Sequence, residues 1–132
     1  MRITQFTDYT FRLLQLLARN RDRIVTVRET AEFYGISGEH LKKIVRHLSE
    51  GGHVQTVRGK NGGLLLGREP SEINLGQLFR DGENLSLLPC SDPENCESCC
   101  SPEAGCKLRG TVDEALAAFM AVLDGKTLAD LI

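Results

Sequence analysis

No cysteine occurs before Cys90 in this 132-residue sequence, and no histidine occurs after His53. All five cysteines therefore fall between Cys90 and Cys106. An odd number excludes a fully paired disulfide framework, and in a reducing compartment such thiols stay available to metals. Long hydrophobic runs are also lacking. The stretches Leu13 to Leu17 and Leu64 to Leu66 are short or broken by a polar residue, too short to span a bilayer. Met1-Arg2-Ile3-Thr4 shows no signal-peptide pattern, so a cytoplasmic protein with no membrane partner is expected. Internal repeats and low-complexity tracts are absent as well. No serine or cysteine is visibly paired with a base, and His40, His47 and His53 are expected to face solvent, which argues against an enzyme. The chain has room for one domain with a core and an appendage, not for a second catalytic domain.

What is present is divided by charge. Residues 1–68 carry 12 Lys+Arg against 6 Asp+Glu, whereas residues 69–132 carry 4 against 12. A front half at +6 and a rear half at −8 suit a protein that lays one face on phosphates and keeps the other clear of them.

The front half reads as helices followed by a hairpin. Phe6, Tyr9, Leu13, Leu16 and Leu17 recur at helical spacing over residues 6–18, with Asp8 in the first turn, where a carboxylate suits the helix dipole. Thr26-Val27-Arg28-Glu29 has the form of a capping box for a short second helix ending at Gly35. Ser37 can cap a third helix running to about Glu50. Its Leu41, Ile44, Val45 and Leu48 form an apolar stripe opposite Glu39, His40, Lys42, Lys43, Arg46 and His47. Two helices joined by a tight glycine turn, the second basic on its outer face, predict a helix-turn-helix with the second helix in the major groove. His53 to Arg58 and Leu64 to Gly67 then predict two strands around Gly59-Lys60-Asn61-Gly62-Gly63, a wing. That loop has neither Walker spacing nor a helix behind it, so it is not a nucleotide-binding loop. The expected contacts to double-stranded DNA are Ser37, Glu39, His40, Lys42, Lys43 and Arg46 from the third helix and Arg58 and Lys60 from the wing.

Past Pro70, a short helix containing Ile73, Leu75, Leu78 and Phe79 is expected to end near Asp81-Gly82. The cysteine-rich stretch follows, and composition leaves both structural zinc and an iron-sulfur cluster open. A long helix after Cys106, running to about Leu123, carries Leu108, Val112, Leu116, Phe119 and Leu123 on one face and mostly apolar residues elsewhere. A helix apolar almost all round needs cover, and the short remaining chain points to a second copy. A homodimer is therefore predicted, and Thr127 to Ile132 reads as a last helical turn. The fold class expected is mainly α with a small β-hairpin: a winged helix-turn-helix with a long C-terminal dimerisation helix. The functional division is 1–82 for DNA binding, 83–106 for the cysteine loop, and 107–132 for dimerisation.

Five segments resemble one known family: Phe6-Thr7-Asp8-Tyr9, Val57-Arg58-Gly59-Lys60-Asn61-Gly62-Gly63, Leu85-Ser86-Leu87, Cys106-Lys107-Leu108-Arg109, and Thr127-Leu128-Ala129-Asp130-Leu131. They are similar to the winged-helix iron-sulfur repressors, and among these to the branch that senses nitric oxide. The resemblance covers nearly the whole chain. Cluster-biogenesis regulators of the same family fit less well, since they place a histidine shortly after the last cysteine. The resemblance implies a homodimer that binds a palindromic operator, with one cluster per subunit, commonly 4Fe-4S, held by three cysteines. It also implies that the fourth ligand is Asp8 of the other subunit, in place of its reading as a dipole partner. The family spacing, C-x5-C-x5-C, is matched by Cys90-x5-Cys96 and by Cys100-x5-Cys106. Cys90 and Cys106 are thus the outer ligands, with Cys100 preferred in the middle, ahead of Cys96 and then Cys99.

The implied function is a DNA-binding repressor that senses nitric oxide through cluster nitrosylation. Competing readings are an iron-sulfur regulator answering to redox state, oxygen or iron supply, a zinc-stabilised DNA-binding protein, and an electron carrier. The last leaves the basic helix and wing unexplained.

Overall fold

The computed structural model describes residues 1–92, 94 and 106–132. Five α-helices and one antiparallel hairpin follow in the order α1 (Gln5–Arg19), α2 (Val27–Tyr34), α3 (Gly38–Glu50), β1 (Val54–Val57), β2 (Gly63–Leu66), α4 (Leu75–Gly82) and α5 (Lys107–Asp124). Short 3-10 turns lie at Pro70–Glu72, Pro89–Ser91 and Leu128–Leu131. The expected winged helix-turn-helix is present, with element ends within a residue or two of those read from sequence.

Local chemistry sets the helix boundaries. The side chains of Thr4, Thr26, Ser37 and Asn74 accept hydrogen bonds from the amides of Thr7, Glu29, His40 and Gln77, satisfying donors that the first turns leave unpaired. Gly35 closes α2 with φ of 65°, a conformation that costs a side-chain-bearing residue more, and so permits the abrupt turn into α3. In the wing, Val54 pairs with Leu66 and Val57 with Gly63, while Val25 bridges to Leu64. A Cβ on Gly63 would lie 2.7 Å from the Val25 carbonyl oxygen, so this close approach requires glycine.

One core gathers Leu13, Leu14 and Leu17 of α1, Ile44 and Leu48 of α3, Val54 and Leu64 of the wing, and Leu75 and Leu78 of α4. Leu128, fully buried, joins it from the C-terminal turn. The Leu128 amide donates to the Ile73 carbonyl at 2.9 Å, and the Leu75 amide to that of Lys126 at 3.0 Å. The end of the chain is thus fixed beside the start of α4, and Arg80 of α4 also binds the Asp124 carboxylate.

Two expectations about exposure need correction. His47 is half-buried rather than outward, because its ring meets Phe6. His53 is half-buried too, held by its own backbone between α3 and β1: its amide donates to Leu48 and its carbonyl accepts from Gly67. Along α5 only Met120 is buried, while Leu108 and Val122 are 63% and 66% exposed. Phe79 of α4 meets Phe119 of α5, with ring centroids 5.3 Å apart, and so covers one side of that helix.

Candidate nucleic-acid interface and metal site

The outward surface of α3 is as the apolar stripe predicts. Leu41, Ile44, Val45 and Leu48 are buried, leaving Glu39, His40, Lys42, Lys43 and Arg46 exposed behind the exposed cap Ser37. These cations are not equivalent. Lys42 lies 2.8 Å from Glu39 and Arg46 lies 3.0 Å from Glu50, so each must give up an acidic neighbour before it meets a phosphate. Lys43, Arg58 and Lys60 form no ion pair among the described residues. The wing presents Arg58 and Lys60 as exposed side chains on either side of Gly59. Small residues in that loop let its backbone approach a duplex closely.

The first turns of α1 lie against α3. Phe6 stands edge-on to His47 at 5.3 Å between centroids, and Tyr9 lies 6.5 Å from His40. Gln5, Phe6, Tyr9, His40, Lys43 and Ile44 line the hollow between the two helices. Asp8 adjoins Tyr9 in sequence, and Tyr9 lines both this hollow and a second one that Asp8 also lines.

Asp8 itself is bound within its own chain. Arg12 Nε donates to Oδ1 at 3.0 Å, and Arg12 Nη2 lies 3.0 Å from Oδ2. The hydrogen bond to Asp8 raises the pKa of an already permanent cation. The Arg12 guanidinium also stands over the Tyr34 ring, 5.9 Å from its centroid, and the Tyr34 hydroxyl donates to the Arg12 carbonyl at 3.2 Å. Arg12 and Tyr34 were not singled out from sequence, although the four-residue spacing of Asp8 and Arg12 is the usual signal for a helical ion pair. Also unread was Glu83, which accepts from the Thr4 amide at 2.8 Å and the Thr4 hydroxyl at 2.9 Å. Burial opposes ionisation of Glu83, but hydrogen bonds from Thr7 and Thr4 outweigh it and hold the carboxyl below its usual range. The start of α1 is thereby fastened to the segment that leads to Cys90.

Cys90 sits half-buried in the 3-10 turn Pro89–Ser91, and Cys106 is exposed at the N-cap of α5. Both are free thiols, and Cys106 Sγ accepts from the Arg109 amide at 3.4 Å. Cysteine sulfur is the usual donor to an iron-sulfur cluster, so the chemistry of these two residues suits one. Cys100, like Cys96 and Cys99, lies outside the described residues. Among the described residues no three His, Cys, Asp or Glu side chains converge on one point. No helix among them is long and apolar enough to cross a membrane.

The family described as iron-dependent transcriptional regulators, Rrf2, matches residues 3–132. The chain belongs to the Rrf2 family. As an Rrf2 protein it is a winged-helix transcription regulator and not an enzyme. Its curated relatives include the HTH-type transcriptional regulator NsrR of Shouchella clausii, 39% identical over 134 residues that cover all of this chain and 89% of the relative. NsrR of Bacillus subtilis is 38% identical over 134 residues, covering all of this chain and 90% of its own. Among solved structures, CymR, the global cysteine regulator of B. subtilis, superposes with a TM-score of 0.78 at 26% identity, covering 99% of this Rrf2 chain and 95% of its own. IscR of T. potens gives 0.76 at 25% identity, with coverage of 99% and 85%.

Proposed function

We propose that this Rrf2 protein is an iron-sulfur-dependent repressor, homodimeric and bound to a palindromic operator, that releases DNA when nitric oxide reaches its cluster. The observation that carries this reading is the position of Asp8: it lies on the turn of α1 whose Phe6 and Tyr9 meet His47 and His40 of α3. The similarity to curated regulators named NsrR and the free thiols at Cys90 and Cys106 support it. The exposed apolar side of α5 supports the homodimer, since Leu108 and Val122 are largely exposed.

Cys90, Cys100 and Cys106 would hold the cluster, with Asp8 of the partner subunit completing the set and Cys96 or Cys99 as alternatives to Cys100. When bound, the cluster supplies an iron held by a carboxylate, a harder and weaker ligand than thiolate, and so comparatively open to a small molecule. The chain's own residues do the rest. Asp8 ties α1 of one subunit to the loop of the other, and Phe6 and Tyr9 hold α3 to α1. The spacing of the two recognition helices is then fixed to the half-sites of the operator. Release of Asp8 frees α1 and loosens that spacing. Lys43, Arg58 and Lys60 serve as phosphate contacts, while Ser37, Glu39, His40, Lys42 and Arg46 face the groove.

Native mass spectrometry of protein purified without oxygen tests this. A dimer carrying two 4Fe-4S masses, altered by nitric oxide, supports the reading. A dimer with zinc, or a chain without metal, overturns it.

A further inference from the structure

The outward side of α3 carries two rows of side chains at helical spacing. Glu39, Lys42 and Arg46 form one, and His40, Lys43 and His47 form the other. The first row is satisfied within the helix by the pairs of Lys42 with Glu39 and of Arg46 with Glu50. The second row lies toward α1 and borders a hollow of about 200 Å³ between the two helices. Ile44, buried, and Phe6, half-buried, give that hollow an apolar base. Around them stand four polar side chains, Gln5 and Tyr9 from α1 and His40 and Lys43 from α3. Among the described residues none of these four side chains forms a hydrogen bond, and no carboxylate lines the hollow. Amide, phenol, imidazole and ammonium can all donate, so a space lined this way, with a cation and no acid, suits an anion.

Its position says which anion. A helix about 10–12 Å across fills a major groove about 12 Å wide, so a recognition helix turns its outward row to base edges and its flank to the phosphates of the groove wall. The flank in question is the α1 side of α3, where the hollow lies. We propose that this hollow seats one phosphate of the DNA backbone, held by Gln5 and Tyr9 of α1 together with Lys43 of α3. The first turns of α1 are then part of the DNA interface and not only a support for α3. Lys43 supplies the charge, while the Gln5 amide and the Tyr9 hydroxyl supply directed hydrogen bonds that fix the register of the helix along the groove. The inference rests on the DNA binding proposed above and needs neither the cluster nor nitric oxide.

The test compares the full chain, purified without oxygen, with Gln5→Ala and Tyr9→Phe on the duplex that wild type selects from a random pool. Tyr9→Phe keeps the ring beside His40 and removes only the hydroxyl. Each variant should bind about tenfold more weakly, evenly across sequences, because a hydrogen bond to a charged group is lost at both half-sites. The salt slope should stay at the wild-type value, since neither side chain carries charge. Neutral methylphosphonates, placed one at a time along the duplex, then locate the phosphate: at one position in each half-site, Gln5→Ala and wild type should bind alike. Wild-type affinity in both variants, or an altered base preference in Gln5→Ala in place of an even loss, would overturn the proposal. Inorganic phosphate that shifts the Tyr9 ring resonances without competing with the duplex would overturn it too, in favour of a free-anion site. A wild type that binds all duplexes alike, with both variants evenly weaker, would remove the palindromic operator and leave the seat standing.

Discussion

Phe6 meets His47 edge-on, 5.3 Å between ring centroids, and so joins the first turn of α1 to the last turns of the recognition helix. Phe6→Ala should weaken operator binding without touching a phosphate. Affinity is expected to fall about five- to tenfold, from disturbed placement of α3 and the loss of about 1 kcal/mol of aromatic contact, while the salt dependence stays unchanged. Fluorescence anisotropy at several salt concentrations measures both.

Lys43 and Lys42 sit side by side on α3, but only Lys42 is paired, with Glu39. Lys43→Ala should therefore lower affinity evenly across DNA sequences and reduce the salt slope by about 1. Lys42→Ala should do less, since part of its charge is already met. Equal slopes for Lys43→Ala and wild type would remove Lys43 from the phosphate contacts.

His53 offers a prediction about pH. Burial, then the neighbouring charge of Arg68 and His47, lowers its pKa, against an opposing contribution from Asp81, and its Nδ1 has no hydrogen-bond partner among the described residues. The folded state thus resists a proton that the unfolded chain accepts near the ordinary imidazole value of about 6.5. The penalty is absent above that value and grows as pH falls below it. In urea titrations, His53→Gln should lessen the loss of stability between about pH 7 and pH 5. Parallel curves for variant and wild type would contradict the assignment.

Val122, exposed on α5, tests the homodimer. Val122→Glu removes no contact from the core of a single chain, so thermal unfolding of the domain should change little apart from the contribution of association. Sedimentation velocity should show a monomer where wild type is a dimer. A dimer that survives the substitution would place the interface elsewhere.

Much of this was legible because it is local. Thr26, Ser37 and Gly35 mark the helix-turn-helix by capping and turn chemistry that depends on the few residues beside them. The apolar stripe of α3 separated Leu41, Ile44, Val45 and Leu48 from the reading surface for the same reason. What sequence could not supply were contacts made across the fold. His47 and His53 look like surface residues until Phe6 and the α3–β1 junction cover them. Thr4 meets Glu83 across 79 positions, and Tyr34 meets Arg12 across 22. In the proposed metal site, Cys90 and Cys106 were separable from the other cysteines only by family spacing, and the choice of Cys100 falls outside the described residues.

The account depends above all on Asp8 coupling the cluster to DNA. The most direct test is operator affinity of wild type and Asp8→Ala, measured without oxygen before and after nitric oxide, with iron and sulfide assayed in each sample. Wild type should bind tightly and lose about tenfold or more of its affinity on exposure, and Asp8→Ala should bind weakly from the outset. Asp8→Ala that binds and responds as wild type does, or wild-type binding indifferent to nitric oxide, would contradict the account.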